Sequence, residues 1–268
     1  MNNLATPDRI PTLFVSHGSP MFAVEPGETG PALQRWGKAL QEKYPAIKGV
    51  VILSPHWMSQ DLEVMSSHRP ETWHDFGGFP QVLYTLQYPA PGAPLLAQQV
   101  HKMLLGAGLD AKLNPRRPRD HGAWVPMMHL LPEAELPVIQ LSLPAHADAA
   151  HVYALGKALQ PLRDAGILLV GSGSMTHNLR EFFTGVHAGS EYVQSFSRWI
   201  EERIQAGETD QLLRWRELAP EALRAHPTDE HFLPLFFTLG AGGDHARVEY
   251  LSREVMQELL AMDSFALH

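Results

Sequence analysis

Five short runs in this chain are mostly apolar and do not alternate: Thr12–Ser16, Gly49–Leu53, Glu63–Ser66, Val138–Leu143 and Ile167–Val170. A strand with one face in water alternates apolar and polar residues, whereas a strand covered on both faces does not. The runs are short and rich in β-branched residues or leucine, so they read as strands of a sheet with a layer on each side. Helix-like stretches lie between them. Pro31–Lys43 sets Leu33, Trp36 and Leu40 near one face, and Ala93–Leu105 and Ala149–Asp164 follow the same pattern. Ser195–Ala206 and Pro220–Ala225 add helix late in the chain, and Arg247–Leu260 mixes the two periodicities. Strands alternating with helices predict an α/β fold with a central, largely parallel sheet flanked by helices. No repeat or break in composition divides the chain, so residues 1–268 are expected to form a single domain.

Composition removes several functions. The formal charge is -8 and there is no basic tract, so phosphate neutralisation is a poor basis for binding, and neither nucleic acid nor a membrane surface is expected as a partner. No apolar run approaches the ~20 residues of a membrane span. The opening residues, MNNLATPDRIPT, lack the basic-then-apolar pattern of a signal peptide, and a cytoplasmic protein is expected. Cysteine is absent, which excludes disulfides, thiolate ligands and a cysteine nucleophile. A metal would have to take imidazole, carboxylate or water, and the chain carries 15 histidines. The sequence leaves the oligomeric state open.

The placement of those histidines carries the chemistry. In open α/β sheets, ligands bind outside the carboxyl ends of the strands. His17 follows Thr12–Ser16 directly, His56 follows Gly49–Leu53 after Ser-Pro, and His177 follows Ile167–Val170 after GSGSMT. Parallel strands would send all three into one crevice at the strand carboxyl ends. Small residues around them, Gly18, Ser19 and Gly171 to Ser174, let backbone approach a ligand closely. Neutral imidazoles suit zinc or iron, and open coordination positions would make the site catalytic. Other signals are weaker. GSGSMT lacks the full dinucleotide fingerprint, the DFGG at Asp75–Gly78 stands without a phosphate loop, and neither a nucleophile elbow nor H-E-x-x-H occurs. Met127-Met128 and Phe236-Phe237 read as core. His101, His151 and His187 read as solvated, and His129, His146, His226 and His245 as structural or solvated. The Pro/Gly-rich stretches Phe76–Pro94 and Asn114–Pro126 read as ordered functional loops, because aromatic residues are poor linker material.

Six blocks then occur in order: LFVSHGSPM, VVILSPHW, HDFGGFPQVLYTLQYPAPG, DHGAWVPM, SGSMTHNLR and TDEHFLPLFFTLGA. Together they closely resemble the class III extradiol ring-cleaving dioxygenases, in the 4,5-DOPA extradiol dioxygenase branch, from about Pro11 to Ala241. The resemblance implies a single α/β domain with one divalent metal ion, zinc or ferrous iron, at its crevice. It carries the metal positions onto His17, His56 and His231, with His177 beside them as a fourth ligand or as the acid–base residue. His121 matches a histidine near the substrate. One departure matters. The wider class binds ferrous iron through two histidines and a carboxylate, and here His231 stands at the matching place with Glu230 next to it. The all-histidine set favours zinc, whereas oxygen chemistry favours iron, because zinc cannot change oxidation state.

The implied reaction opens a small aromatic diol, a catechol such as DOPA, with molecular oxygen. Histidine suits proton transfer near neutral pH, with His177 the first candidate and His121 the second. Trp57, His74 and Phe76, with Phe79 and Tyr84, are expected to shape an aromatic pocket. Arg180 or Arg119 is a candidate for a substrate carboxylate, since a guanidinium offers a bidentate fork. Two other readings fit the same histidines: a zinc-dependent hydrolase of an amide or ester, and a non-enzymatic metal-binding relative.

Overall fold

A computed structural model describes residues 9–184, 191–243 and 246–268; His187 and His245 lie outside them. Strand β1 (Thr12–Ser16) leads to helix α1 (Thr29–Lys43), and strands β2 (Gly49–Ser59) and β3 (Leu62–Met65) follow. Next come α2 (Pro94–Gly106), β4 (Ala111–Asn114), α3 (His121–Leu130), β5 (Val138–Pro144), α4 (Ala149–Leu159) and β6 (Ile167–Gly173). Helices α5 (Leu179–Thr184) and α6 (Glu191–Ala206) precede the short α7 (Thr209–Leu213), α8 (Trp215–Leu218) and α9 (Ala222–Ala225). Then α10 (Pro234–Gly242), β7 (Val248–Ser252), β8 (Val255–Met256), β9 (Leu260–Ala261) and β10 (Ser264–Leu267) complete the described chain.

Eight strands form one sheet in the order β4-β3-β5-β2-β6-β1-β10-β7. The centre, β5-β2-β6-β1, is parallel throughout, and antiparallel pairing enters where β3 meets β5 and where β10 meets β1 and β7. Every residue of β1, β5 and β6 is buried, as unalternating runs require when both faces are covered. Helices α4 and α10 pack together on one face, while α1 and α3 pack on the other. Met127, Phe236 and Phe237 lie in these cores. Among the described residues no helix is long and apolar enough to cross a membrane.

Some elements differ from what the pattern suggests. β2 runs through Pro55 to Ser59, beyond the expected end at Leu53, because its pairing with β5 slips between Leu53 and Met58 and the slip tolerates a proline. Asn114–Pro126 is not a continuous loop: α3 begins at His121 and carries Pro126 inside it. Arg247–Leu260 holds strand and turn and no helix, and Pro220–Ala225 contracts to the four residues of α9. The Phe76–Pro94 stretch is irregular apart from a 3-10 turn over Gln81–Thr85.

The contact between α4 and α10 depends on two missing side chains. A Cβ at Gly240 would overlap the Tyr153 carbonyl oxygen, and one at Gly156 would overlap that of Phe237. Neither obstacle is a flexible side chain, so the helices would have to separate. Gly240→Ala is therefore expected to destabilise the protein by about 1–3 kcal/mol, read as a lower urea midpoint with an unchanged m-value. An unchanged midpoint would show that the two helices can move apart freely.

Candidate metal centre

His17 leaves the end of β1, where its backbone N–H donates to Gly173 O at 3.0 Å. His56 sits in the slipped stretch of β2, two strands away, with β6 between. His231 comes from the loop before α10 and reaches the same point because β6 ends in glycine. A Cβ at Gly173 would overlap the His231 carbonyl oxygen, and that oxygen accepts the next N–H, from Ser174, at 2.8 Å. The GSGSMT glycine thus admits the His231 backbone rather than a ligand.

The three imidazoles converge. His56 Nε2 lies 3.0 Å from His17 Nε2 and 3.3 Å from His231 Nε2. The other nitrogens are committed elsewhere. His231 Nδ1 is 3.0 Å from Glu230 Oε1, and a carboxylate only accepts, so Nδ1 carries the proton. His17 Nδ1 is 3.0 Å from Ser172 Oγ, which itself donates to Gly122 O. The hydroxyl proton being spent there, His17 Nδ1 is again the donor. The Gly122 carbonyl is open because Pro126, four residues on in α3, has no N–H to offer it. Both rings therefore turn an Nε2 lone pair toward His56. Two lone pairs aimed at a third imidazole nitrogen at this spacing suit a cation. Bonds of about 2.0–2.1 Å to one ion place nitrogens about 2.9 Å apart at right angles and about 3.3 Å apart at the tetrahedral angle. The observed spacings fit that range, and His17, His56 and His231 form a group able to hold an ion.

Electrostatics agree with neutral ligands. Burial first, then the neighbouring histidines, holds His17 and His231 well below the ordinary imidazole range, and burial with His121 brings His56 to about 3. His177 stacks flat on His231, with ring centroids 3.5 Å apart and planes 9° apart, and burial brings it to about 4. It lies one ring outward from the converging trio.

His121 opens α3 on the other side of the trio, its ring centroid 3.9 Å from that of His56. Phe76 meets His121 edge-on at 5.7 Å and adjoins Phe79 and Tyr84 at 5.4 and 5.3 Å. Phe76 is thus part of an aromatic wall beside the histidines. His74 lies behind it, bonded to Leu86 O at 3.0 Å and edge-on to Trp124. Trp57 is buried and carries the Arg117 guanidinium on its ring, with Trp73 on another side of that cation, at 4.9 and 4.6 Å. Arg117 also donates to the His56 carbonyl at 3.0 Å, so Trp57 bears on His56 through this cation.

The arginine expectations divide. Arg119 is fully buried and donates to the carbonyls of Tyr88, Ala90 and Val138, which makes it structural and leaves no fork for a carboxylate. Arg180 is exposed on α5. His129 and His226 are structural, bonded to Phe22 O and Met175 O, each at 2.9 Å. Sequence reasoning missed Asp75 and Ser172. Asp75 stands inside the HDFGG block, and its Oδ1 accepts from both the backbone N–H and Nδ1 of His121. Burial works to raise this carboxyl, but its hydrogen bonds from His121 outweigh it and hold it below the usual range.

Comparison with known proteins gives this arrangement a setting. Residues 11–264 match the family described as the catalytic LigB subunit of aromatic ring-opening dioxygenase. The chain is 37% identical over 242 residues to a 4,5-DOPA dioxygenase extradiol of Beta vulgaris, covering 90% of each. It is also 37% identical over 238 residues to a protein of the same name from Escherichia coli K12, covering 87% of this chain and 85% of the other. A crystal structure of an uncharacterized Escherichia coli K12 protein superposes with a TM-score of 0.79 at 28% identity, over 97% of this chain and 100% of that one.

Two outcomes are expected from the geometry. His17→Ala and His231→Ala should lose the ion on dialysis, and Ser172→Ala, which frees the His17 ring and leaves the Gly122 carbonyl without its donor, should weaken affinity about 10- to 100-fold. Full metal content by elemental analysis in the two ligand variants would refute the assignment. The second concerns acid. His17, His56, His231 and His226 are neutral when folded, their folded pKa values lying below the unfolded value of about 6.5. The unfolded chain binds more protons below that value, so metal-free protein should lose stability steadily as pH falls from about 6.5 toward 4. A urea midpoint flat across that range would contradict neutral burial.

Proposed function

The chain belongs to the aromatic ring-opening dioxygenase family of the catalytic LigB subunit and is an extradiol dioxygenase, and on that premise we propose that residues 1–268 act as one catalytic domain opening a catechol such as DOPA. Enzymes of this family are metal-dependent, and we assign the ion to His17, His56 and His231. The convergence of their three Nε2 atoms is the observation that carries the assignment. Ferrous iron is the ion proposed to support turnover, with zinc a tight occupant of the same donors. Dioxygen and a closed-shell aromatic ring react through electron transfer, which zinc cannot mediate.

When bound, the divalent ion would supply a Lewis acid that favours loss of a diol proton, and ferrous iron would also supply an electron path to dioxygen. The protein's own groups do the rest. Phe76, with Phe79 and Tyr84, offers an apolar wall that orients a flat ring and keeps water from one side of it. His121 stands between that wall and His56, within reach of a diol hydroxyl. His177, stacked outside His231, is placed to return a proton as the ring opens. It lies outside the tight trio, which supports an acid–base role over a fourth ligand.

A zinc hydrolase would use the same donors, and oxygen separates the two. Anaerobic reconstitution with ferrous iron or zinc, then oxygen uptake with a panel of catechols including DOPA, should show stoichiometric uptake with iron and ring-opened product. His177→Phe in the iron enzyme should keep its metal and lose about 10²–10⁴ in turnover. Product formation without oxygen consumption would overturn the proposal, and near wild-type turnover in His177→Phe would remove that residue from it.

A further inference from the structure

One buried carboxylate beside the centre has no part in the steps above. Asp75 precedes Phe76 in the aromatic stretch, and its side chain is 7% exposed. Its Oδ1 accepts twice from one residue, from the His121 backbone N–H at 2.8 Å and from His121 Nδ1 at 3.0 Å. Its Oδ2 lies 3.9 Å from His56 Nδ1. The backbone bond is a helix cap supplied from a distance. Asp120, which stands at the N-cap of α3, makes no capping bond and instead accepts from Ser54, Arg117 and Gln140.

The second bond does something a cap does not need. An ionised carboxylate has no proton to give, so His121 Nδ1 must carry one. In the neutral ring the far nitrogen, Nε2, is then an acceptor, and among the described residues it has no hydrogen-bond partner. The ring cannot turn away cheaply. Its backbone and its Nδ1 are tied to one oxygen, His56 covers it at 3.9 Å, and Phe76 and His17 stand edge-on at 5.7 and 5.8 Å. A buried ring held in one tautomer with a vacant acceptor beside the converging histidines is suited to receive a donor from a ligand.

We propose that Asp75 is a positioning residue for ring opening: it fixes the Nδ1–H tautomer of His121 so that Nε2 accepts a hydrogen bond from a substrate hydroxyl. The proposal rests on the reading of His121 as a group that meets the diol. Loss of Asp75 would leave the ring free to present an N–H to the same hydroxyl, which could then only accept from it and would lose its own acceptor.

Long-range ¹⁵N–¹H correlations on zinc-loaded protein report the tautomer of His121 directly, with His121→Phe identifying the signal. Wild type should show Nδ1–H, Asp75→Asn should lose that preference, and Asp75→Glu, which restores an acceptor-only group, should recover it. In the iron enzyme, Asp75→Asn should lower kcat about 10- to 100-fold with little change in KM and full metal content. In a His121→Phe background the same substitution should cost nothing further, because its effect passes through the ring. An Nε2–H tautomer in wild type overturns the proposal without recourse to any variant. So does an Asp75→Asn penalty that persists undiminished in the His121→Phe background, which marks a cap alone. If wild type opens no catechol, the functional reading fails, while the tautomer measurement still decides what Asp75 does.

Discussion

The Nε2 atoms of three imidazoles meet at one point in this fold, and two of them present lone pairs to the third. His17 and His231 have their Nδ1 protons committed to Ser172 and Glu230, so neither ring turns a proton inward. The scaffold has to hold them there, and β6 is the part that does so. It lies between β1 and β2, the strands that carry His17 and His56. Its Ser172 fixes the His17 tautomer, and its Gly173 gives the His231 backbone room to close over the sheet. One strand therefore registers all three histidines, although it contains none of them. A rigid sheet centre is the natural base for a site with small positional tolerance.

The His17 tautomer traces back to an irregularity in a helix. A proline inside a helix normally costs a hydrogen bond. Here the orphaned acceptor, Gly122 O, is taken up by Ser172 Oγ, and this forces Ser172 to accept from His17. The same helix begins at His121, whose first N–H is capped by Asp75. The first two residues of the helix, His121 and Gly122, are thus bonded to groups that orient imidazoles. An ordinary capped helix without proline would satisfy its backbone internally and leave His17 with an ambiguous hydroxyl partner.

Much of this was legible in the sequence, and the failures have physical causes. Unalternating runs revealed the covered strands, and the ends of Thr12–Ser16 and Gly49–Leu53 pointed to His17 and His56, although β2 runs on through His56 to Ser59. His231 is different. It follows no strand, and periodicity gives no sign that the TDEHFLP loop crosses the end of β6; only the resemblance of the whole block pointed to it. His177 does leave β6, as strand counting anticipated, but its ring lies outside the trio, stacked on His231. Ser172 and Asp75 escaped notice because their roles are set by partners 155 and 46 residues away. Trp57 looked like pocket wall from its place beside His56, and its ring instead carries the Arg117 cation.

The carboxylates around the centre bear on why an all-histidine set can serve here. The wider class places one carboxylate on the metal, and a divalent ion on three neutral imidazoles keeps its full charge. Two carboxylates stand close by: Glu230 on His231 Nδ1, and Asp75 with one oxygen on His121 and the other facing His56 Nδ1. A carboxylate hydrogen-bonded to the far nitrogen of a ligand makes that imidazole a stronger donor and lies near enough to offset the charge. In this fold the negative charge is thus withdrawn by the width of one ring. The arrangement also spreads the negative charge over two sides of the centre, so that the His121 ring and the His56 ring share one electrostatic source in Asp75.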